Sequence, residues 1–205
     1  MRSDARRNRD TVLTAAHTLF DRSGPEGVSM ADVAAAAGVG KGTVFRRFKD
    51  RVGLMSAIFA DRLQPLREAV EHGPSPLGPA AAPEERLPAV VLALLQAKLD
   101  HLGLCAELDA GCGSIGPQST DPFLADHYTW AHRALRESLV HLHGPAEADW
   151  TAHVLLASIR ADLMQHLILR QGLTAEDLKK QVRGHVDRLM SNGTGCAPVR
   201  RSVAS

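Results

Sequence analysis

The chain has 205 residues, 44% hydrophobic and 23% charged, so it is one or two domains of ordinary globular composition with enough length to bury a core unaided. An odd number of cysteines, Cys105, Cys112 and Cys196, offers no disulfide framework, which points to a reducing, cytoplasmic setting. The net charge of +1 conceals an asymmetry: residues 1–50 hold nine Lys/Arg against six Asp/Glu, and the remainder holds fifteen against seventeen.

In chain order, the opening "MRSDARRNRD" is charged with no apolar region behind it and does not read as a secretion signal. Residues 7–20 then place Val12, Ala15, Ala16, Leu19 and Phe20 on one stripe at helical steps, and "DRSGPEG" closes that first helix. Ser29 caps a second helix, with Asp32 completing a capping box and Val33, Ala36 and Ala37 facing inward. Gly38-Val39-Gly40 makes a tight turn, and Lys41 to Phe48 forms a third helix anchored by Val44 and Phe48. Helix, glycine turn and helix is the helix-turn-helix arrangement. A phosphate loop at "AGVGKGT" fails on spacing, because Ala35 and Gly42 stand where a glycine and a Ser or Thr are needed, and on context, because a helix precedes it.

The third helix carries the chemistry. Lys41, Gly42 and Thr43 face a groove, Arg46 and Arg47 offer forked donors for guanine edges or phosphates, and Lys49 and Arg51 stand where the next helix begins. The stretch "MADVAAAAGVGKGTVFRRFKDRVGLMSAIF" closely resembles the DNA-binding signature of the TetR/AcrR family of transcriptional regulators. The resemblance covers roughly residues 7–60. It implies an all-α fold, with an N-terminal three-helix helix-turn-helix domain on a C-terminal helical bundle that binds ligand and dimerises. It also implies DNA contacts at Ser29, Lys41, Gly42, Thr43, Phe45, Arg46, Arg47 and Arg51, with Arg6, Arg7 and Arg9 in an arm before them. Phe45 departs from the tyrosine usual in the family, which removes a hydroxyl from the phosphate backbone.

The expected organisation is a DNA-binding domain over 1–50, a connecting helix over 51–72, a linker over 73–83, a body over 84–192 and a disordered tail over 193–205. Asp50 caps the connecting helix, Leu54, Ile58 and Phe59 hold it to the small domain, and Pro65 kinks or ends it. "GPSPLGPAAAP" reads as a flexible or extended connection. Four body helices are expected, over 84–109, 121–142, 146–171 and 174–191. The first is apolar nearly all round, which makes it central, and "LPAVVLALLQAKL" within it is too short for a membrane span and carries Lys98. Beside it the resemblance implies a small-molecule cavity, with His101, Leu104, Cys105, His127, Trp130 and His166 as candidate lining. Leu156, Ile159, Leu163 and Leu167, with Leu178, Val182, His185 and Leu189, recur at heptad-like steps and are the expected homodimer seams.

Other motifs carry little. "GCGSIG" at 111–116 follows a helix rather than a strand and reads as a loop; the ten histidines show no zinc-ligand spacing; Cys105 and Cys112 carry no mark of a redox switch. No catalytic set, metal or cofactor is expected. Three readings stand: a homodimeric repressor released from double-stranded, palindromic operator DNA by a small effector; an effector-independent DNA-binding protein or activator; and a helical enzyme with an incidental basic N-terminus.

Overall fold

A computed structural model describes residues 2–111 and 125–192. Eleven helices fill the described residues: α1 (Arg2–Ser23), α2 (Met30–Ala36), α3 (Lys41–Phe48), α4 (Arg51–Arg62), α5 (Gln64–His72), α6 (Pro83–Asp100), α7 (Leu102–Gly111), α8 (Asp126–His143), α9 (Pro145–Ser158), α10 (Ala161–Gln171) and α11 (Ala175–Asn192). The motif "GCGSIG" beyond Gly111, Cys112, Cys196 and the expected tail lie outside the described residues.

The first three helices pack around the start of α4. Val12, Leu13, Ala16 and Phe20 of α1 meet Met30, Val33 and Ala34 of α2, Val44 and Phe48 of α3, and Leu54, Met55 and Ile58 of α4, all buried. α1 is longer than expected at both ends, and Leu13 rather than Ala15 completes its buried stripe. On α2 the inward face is Met30, Val33 and Ala34, and Ala36 is exposed. A seven-residue helix buries only one side, and the turn that follows directs that side toward α1 and α3.

The remaining helices build the body around α6, which packs against α8 and α11 and buries Leu87, Val90, Val91, Leu94 and Leu95. α8 and α9 lie side by side, α7 packs on α10, and α4 reaches across to α7 and α8. A single apolar cluster therefore runs from Val12 in the small domain to Val186 in the last helix.

Two expected long helices are each broken. The expected helix over 84–109 turns by 97° between α6 and α7, with His101 leaving helical geometry at φ −128° and ψ 36°. The expected helix over 146–171 breaks at Ile159 and Arg160. This second break is imposed from outside the segment: the Asp109 carboxylate accepts the Ala161 N–H at 2.6 Å, and the Arg160 guanidinium donates to the Asp109 carbonyl at 3.3 Å. A carboxylate on α7 thus caps α10 and starts it afresh.

Pro65 acts as expected. α4 ends at Leu63, and Pro65 sits in the first turn of α5, where its missing N–H costs nothing. The segment 73–83 is not an extended connection but a run of turns tied down from both sides. Gly78 donates its N–H to the Pro74 carbonyl at 2.9 Å. The buried Arg86 guanidinium donates to Leu77 O at 3.1 Å, Val70 O at 3.4 Å, and Glu137 and Ser138 at 3.4 Å each.

Candidate nucleic-acid interface and ligand cavity

α2 starts from a complete capping box: the Ser29 hydroxyl accepts the Asp32 N–H at 3.2 Å, and Asp32 Oδ2 accepts the Ser29 N–H at 2.9 Å. These bonds to Ser29 hold the Asp32 carboxyl below the usual carboxylate range, with nearby Lys41 adding to the effect. Gly38, with φ +65°, makes the left-handed bend that a side chain would resist, and places α3 across α2.

α3 buries Val44 and Phe48 and turns its other side outward. Lys41, Gly42, Phe45, Arg46, Arg47 and Lys49 are exposed, and Thr43 is half-buried. No Cβ clash stands at Gly42, which faces open space. Arg46, Arg47 and Lys49 make no ion pair with the described residues. Phe45 leaves 48% of its surface in water, where the apolar surface of a partner can cover it. The outward side of this short helix thus combines a lysine in its first turn with an aromatic ring and two guanidinium forks in its last. That arrangement suits phosphates and base edges in a major groove.

Arg51 is directed elsewhere. Its guanidinium donates to the Val28 and Pro25 carbonyls and to Glu107 on α7 at 2.8 Å, so it ties the loop before α2 and the start of α4 to the body. Ser29 is exposed but its hydroxyl is committed to the cap. Arg9 lies on α1, 4.0 Å from Asp10; the side chains of Arg6 and Arg7 lie outside the described residues. A second tie joins the domains at Arg62, which donates to His17 Nδ1 at 3.2 Å, to His101 Nδ1 at 2.8 Å and to Asp21. Burial and then Arg62 itself push the His101 pKa down.

α4 follows α3 with almost no slack. Gly53 donates its N–H to the capping Asp50 carboxylate at 2.7 Å, and a Cβ at Gly53 would stand 2.0 Å from the Phe48 carbonyl oxygen. The same helix walls a cavity of about 580 Å³ whose other sides come from α6, α7, α8 and α9. Val52, Gly53, Ser56, Phe59 and Leu63 line it from α4, opposite Leu94, Leu108, Leu156 and Ile159.

Besides Ser56, Asp109 and Arg160, the polar groups on the wall are few. His127 is bonded to Ser56 Oγ at 3.3 Å and meets the edge of Phe59, and burial, with Lys98 nearby, pushes its pKa down to about 4, leaving it neutral at pH 7. Tyr128 and His153 are joined at 2.7 Å. Lys98 is half-buried and makes no ion pair or hydrogen bond with the described residues. Trp150, 72% exposed, stands at the mouth.

Of the six residues expected around the cavity, His127 lines it and five lie elsewhere. His101 belongs to the Arg62 tie, Leu104 and Cys105 are buried in the core, Trp130 is buried beneath the Arg67 guanidinium, and His166 is exposed on α10. Burial raises the Cys105 thiol to about 12, which makes it inert. Of the eight expected seam residues, Leu156, Ile159, Leu178 and Val182 are buried within the single chain; Leu163 is exposed, and Leu167, His185 and Leu189 are half-buried. The break at Ile159 and Arg160 divides the first seam between two helices, and α11 spends one face of the second on α6. The residues missed by spacing alone are Lys98, Arg62, Glu107 and Tyr128. Lys98 did leave a signal, as the lone charge in the apolar stretch Leu87–Leu99.

Residues 12–58 match the bacterial regulatory proteins of the tetR family. An HTH-type transcriptional regulator of Staphylococcus aureus MRSA252 is 33% identical over 111 residues, 54% of this chain and 58% of that protein. Another, from strain USA300, is 46% identical over 54 residues, 26% of this chain and 29% of its own length. The matched regions thus span from under a third to somewhat over half of these curated relatives. Among solved structures, Thermus thermophilus FadR, a TetR-family transcriptional repressor in complex with lauroyl-CoA, superposes with a TM-score of 0.71 at 19% identity, covering 96% of this chain and 98% of that one. A TetR transcriptional regulator from Rhodococcus sp. RHA1 gives 0.62 at 19% identity over 91% and 97%. These two share the fold.

Proposed function

We propose that this chain, a member of the tetR family of bacterial regulatory proteins through its residues 12–58, is a homodimeric repressor that an amphipathic, anionic small molecule releases from its operator. The observation that carries this reading is the shared wall: α4 is at once the floor of the cavity and the helix locked to the end of the recognition helix. A ligand that fills the cavity bears directly on α4. If it binds one disposition of α4 more tightly than the other, it shifts the population away from the DNA-binding one by that difference in affinity.

DNA recognition is assigned to Lys41, Gly42, Thr43, Phe45, Arg46, Arg47 and Lys49. Ser29 contributes as the cap that fixes α2, and Arg51 positions the domain through Glu107 rather than reaching a phosphate. Two such helices related by a two-fold axis occupy successive major grooves ~34 Å apart. The outward parts of α10 and α11, with Leu163, Leu167, His185 and Leu189, supply the dimer contact.

The ligand class follows from the wall. An aliphatic body matches Leu63, Leu94, Leu108, Val154 and Ile159, and an anionic head matches Lys98, whose charge lacks a partner ion among the described residues. The lauroyl-CoA held by the Thermus thermophilus neighbour has both parts.

Fluorescence anisotropy tests the proposal, using the protein on its own upstream intergenic DNA and on a scrambled duplex, across a range of salt, with lauroyl-CoA and dodecanoate as probes. Tight binding to the first duplex alone, reversed by either probe, is the expected result. Equal, steeply salt-dependent binding to both duplexes would refute sequence-specific regulation there. Specific binding that ignores both probes would refute the ligand class.

A further inference from the structure

The seam between α8 and α9 holds a group of side chains that DNA binding does not explain and of which only His153 also lines the cavity. His132 projects from α8, and Asp149 and His153 project from α9, four residues apart and therefore one turn above each other on one face. One donor atom from each lies within 4.8 Å of the other two. His132 Nε2 is 3.7 Å from Asp149 Oδ1. We propose that His132, Asp149 and His153 form a binding site for a divalent transition-metal ion.

The donor chemistry selects the metal class. Two imidazoles and one carboxylate are the ligands of zinc, nickel or cobalt, whereas magnesium and calcium take oxygen ligands almost throughout. Two donors at ~2.1 Å from one ion in tetrahedral geometry stand roughly 3.4 Å apart. The group is therefore open by up to ~1.4 Å, and closing it takes a rotation of Asp149 and release of the hydrogen bond that His132 Nε2 makes to the Asp149 carbonyl at 3.2 Å. Asp149 has that freedom, since 61% of its side chain is exposed, while His132 is sheltered at 16%. The exposed carboxylate also marks the path by which an ion enters.

A further partner orients one ligand as metal sites require. The Tyr128 hydroxyl oxygen lies 2.7 Å from His153 Nδ1. The tautomer in which Nδ1–H donates to that oxygen puts the lone pair on Nε2, the usual way a second partner fixes a metal-binding imidazole. The His132 and His153 rings are 4.1 Å apart between centroids, so neither needs to travel far to face a common point.

Arg136 Nε lies 3.4 Å from the same Asp149 oxygen. In the metal-free protein its guanidinium takes part of the cation's place, and the second carboxylate oxygen allows Asp149 to keep both partners. Three protein ligands leave further coordination positions open to water, so the site is a clip between α8 and α9 rather than a closed structural centre. Spacing along the chain could not reveal it, because His132 and His153 are 21 positions apart and belong to different helices.

Full-length protein, stripped with chelator, is titrated with Zn²⁺ by calorimetry and with Co²⁺ by visible absorption. The expected result is one ion per chain, with cobalt bands of a nitrogen and oxygen site. Asp149→Asn and His153→Ala should each weaken Zn²⁺ at least ~10-fold, and Tyr128→Phe by about 10-fold, through loss of orientation. The double variant His141→Asn with His143→Asn should bind as the parent does. Circular dichroism establishes that each variant is folded; should His153→Ala fail, Asp149→Asn on its exposed side chain carries the test. No stoichiometric Zn²⁺ binding by the parent, or binding unchanged in Asp149→Asn, would overturn the proposal.

Discussion

Replacing Lys98 with methionine should move ligand response and stability in opposite directions. The ammonium is half-buried on a mostly apolar wall that also carries Asp109 and Arg160, and it makes no ion pair within 4 Å among the described residues. In the unliganded protein it therefore pays part of the desolvation cost of a charge without a compensating bond. Methionine has similar length and no charge, so the variant should melt at the parent's temperature or slightly above it. A loss of 1 kcal/mol would lower Tm by roughly 2–4 °C in a chain of this size. A ligand anion, by contrast, loses a charge-assisted hydrogen bond worth about 1.5–3 kcal/mol, and at tenfold per ~1.4 kcal/mol its affinity falls roughly 10- to 150-fold. Trp150 at the cavity mouth gives a direct fluorescence signal for dodecanoate or lauroyl-CoA, and operator release by anisotropy gives a second. A variant that melts several degrees lower would show Lys98 to be structural. One that responds at the parent's ligand concentration would place the anion elsewhere.

Three further outcomes are expected. Arg46→Ala with Arg47→Ala should cost operator binding about 1–3 kcal/mol per side chain and reduce its salt dependence, with Tm unchanged because both are exposed; retained operator affinity would remove α3 as the reading element. His127 is held at about 4 by burial and Lys98, below the ~6.5 of an unfolded histidine. On acidification the unfolded chain therefore takes up a proton first, and stability falls between those values by up to about 1.4 kcal/mol per pH unit. Urea denaturation of His127→Leu should show a flatter dependence from pH 6.5 to 4.5, and an unchanged slope would mean that water reaches the ring. Arg86→Met should cost about 2–4 kcal/mol by stranding two carbonyls and half of a buried network, or roughly 4–16 °C in Tm. Arg86→Lys should recover little of it, since an ammonium cannot span the four acceptors; full recovery would show that charge alone suffices.

The small domain was legible because its boundaries are written in local chemistry. Gly40 and Asp50 punctuate α3, Ser29 and Asp32 start α2, and Pro65 stops the connecting helix, each acting within a few residues of itself. The body was less legible because its breaks are made at a distance. Nothing in "LASIRADL" ends a helix; Asp109, more than forty positions away, does so by capping Ala161. The cavity candidates illustrate a related limit. A central apolar helix pointed to the right region, but a histidine's presence does not say which way it faces, and His101 and His166 face away from the cavity while His127 faces it. Arg51 looked like another phosphate contact by charge and position, and only its meeting with Glu107 gives it a different task.

The absent side chain at Gly53 has a mechanical consequence. With no room between that position and the Phe48 carbonyl, and with Asp50 bonded across the joint, the turn between α3 and α4 cannot serve as a hinge. Under the proposed mechanism the two helices would move as one lever whose fulcrum falls at the next discontinuity, Leu63, where α4 stops before Pro65. Twelve residues at 1.5 Å each give an arm of about 18 Å, so a tilt of ~10° carries the reading end through about 3 Å. In the proposed dimer, such a shift in each of two arms would change the separation of the two α3 helices relative to grooves one helical turn apart.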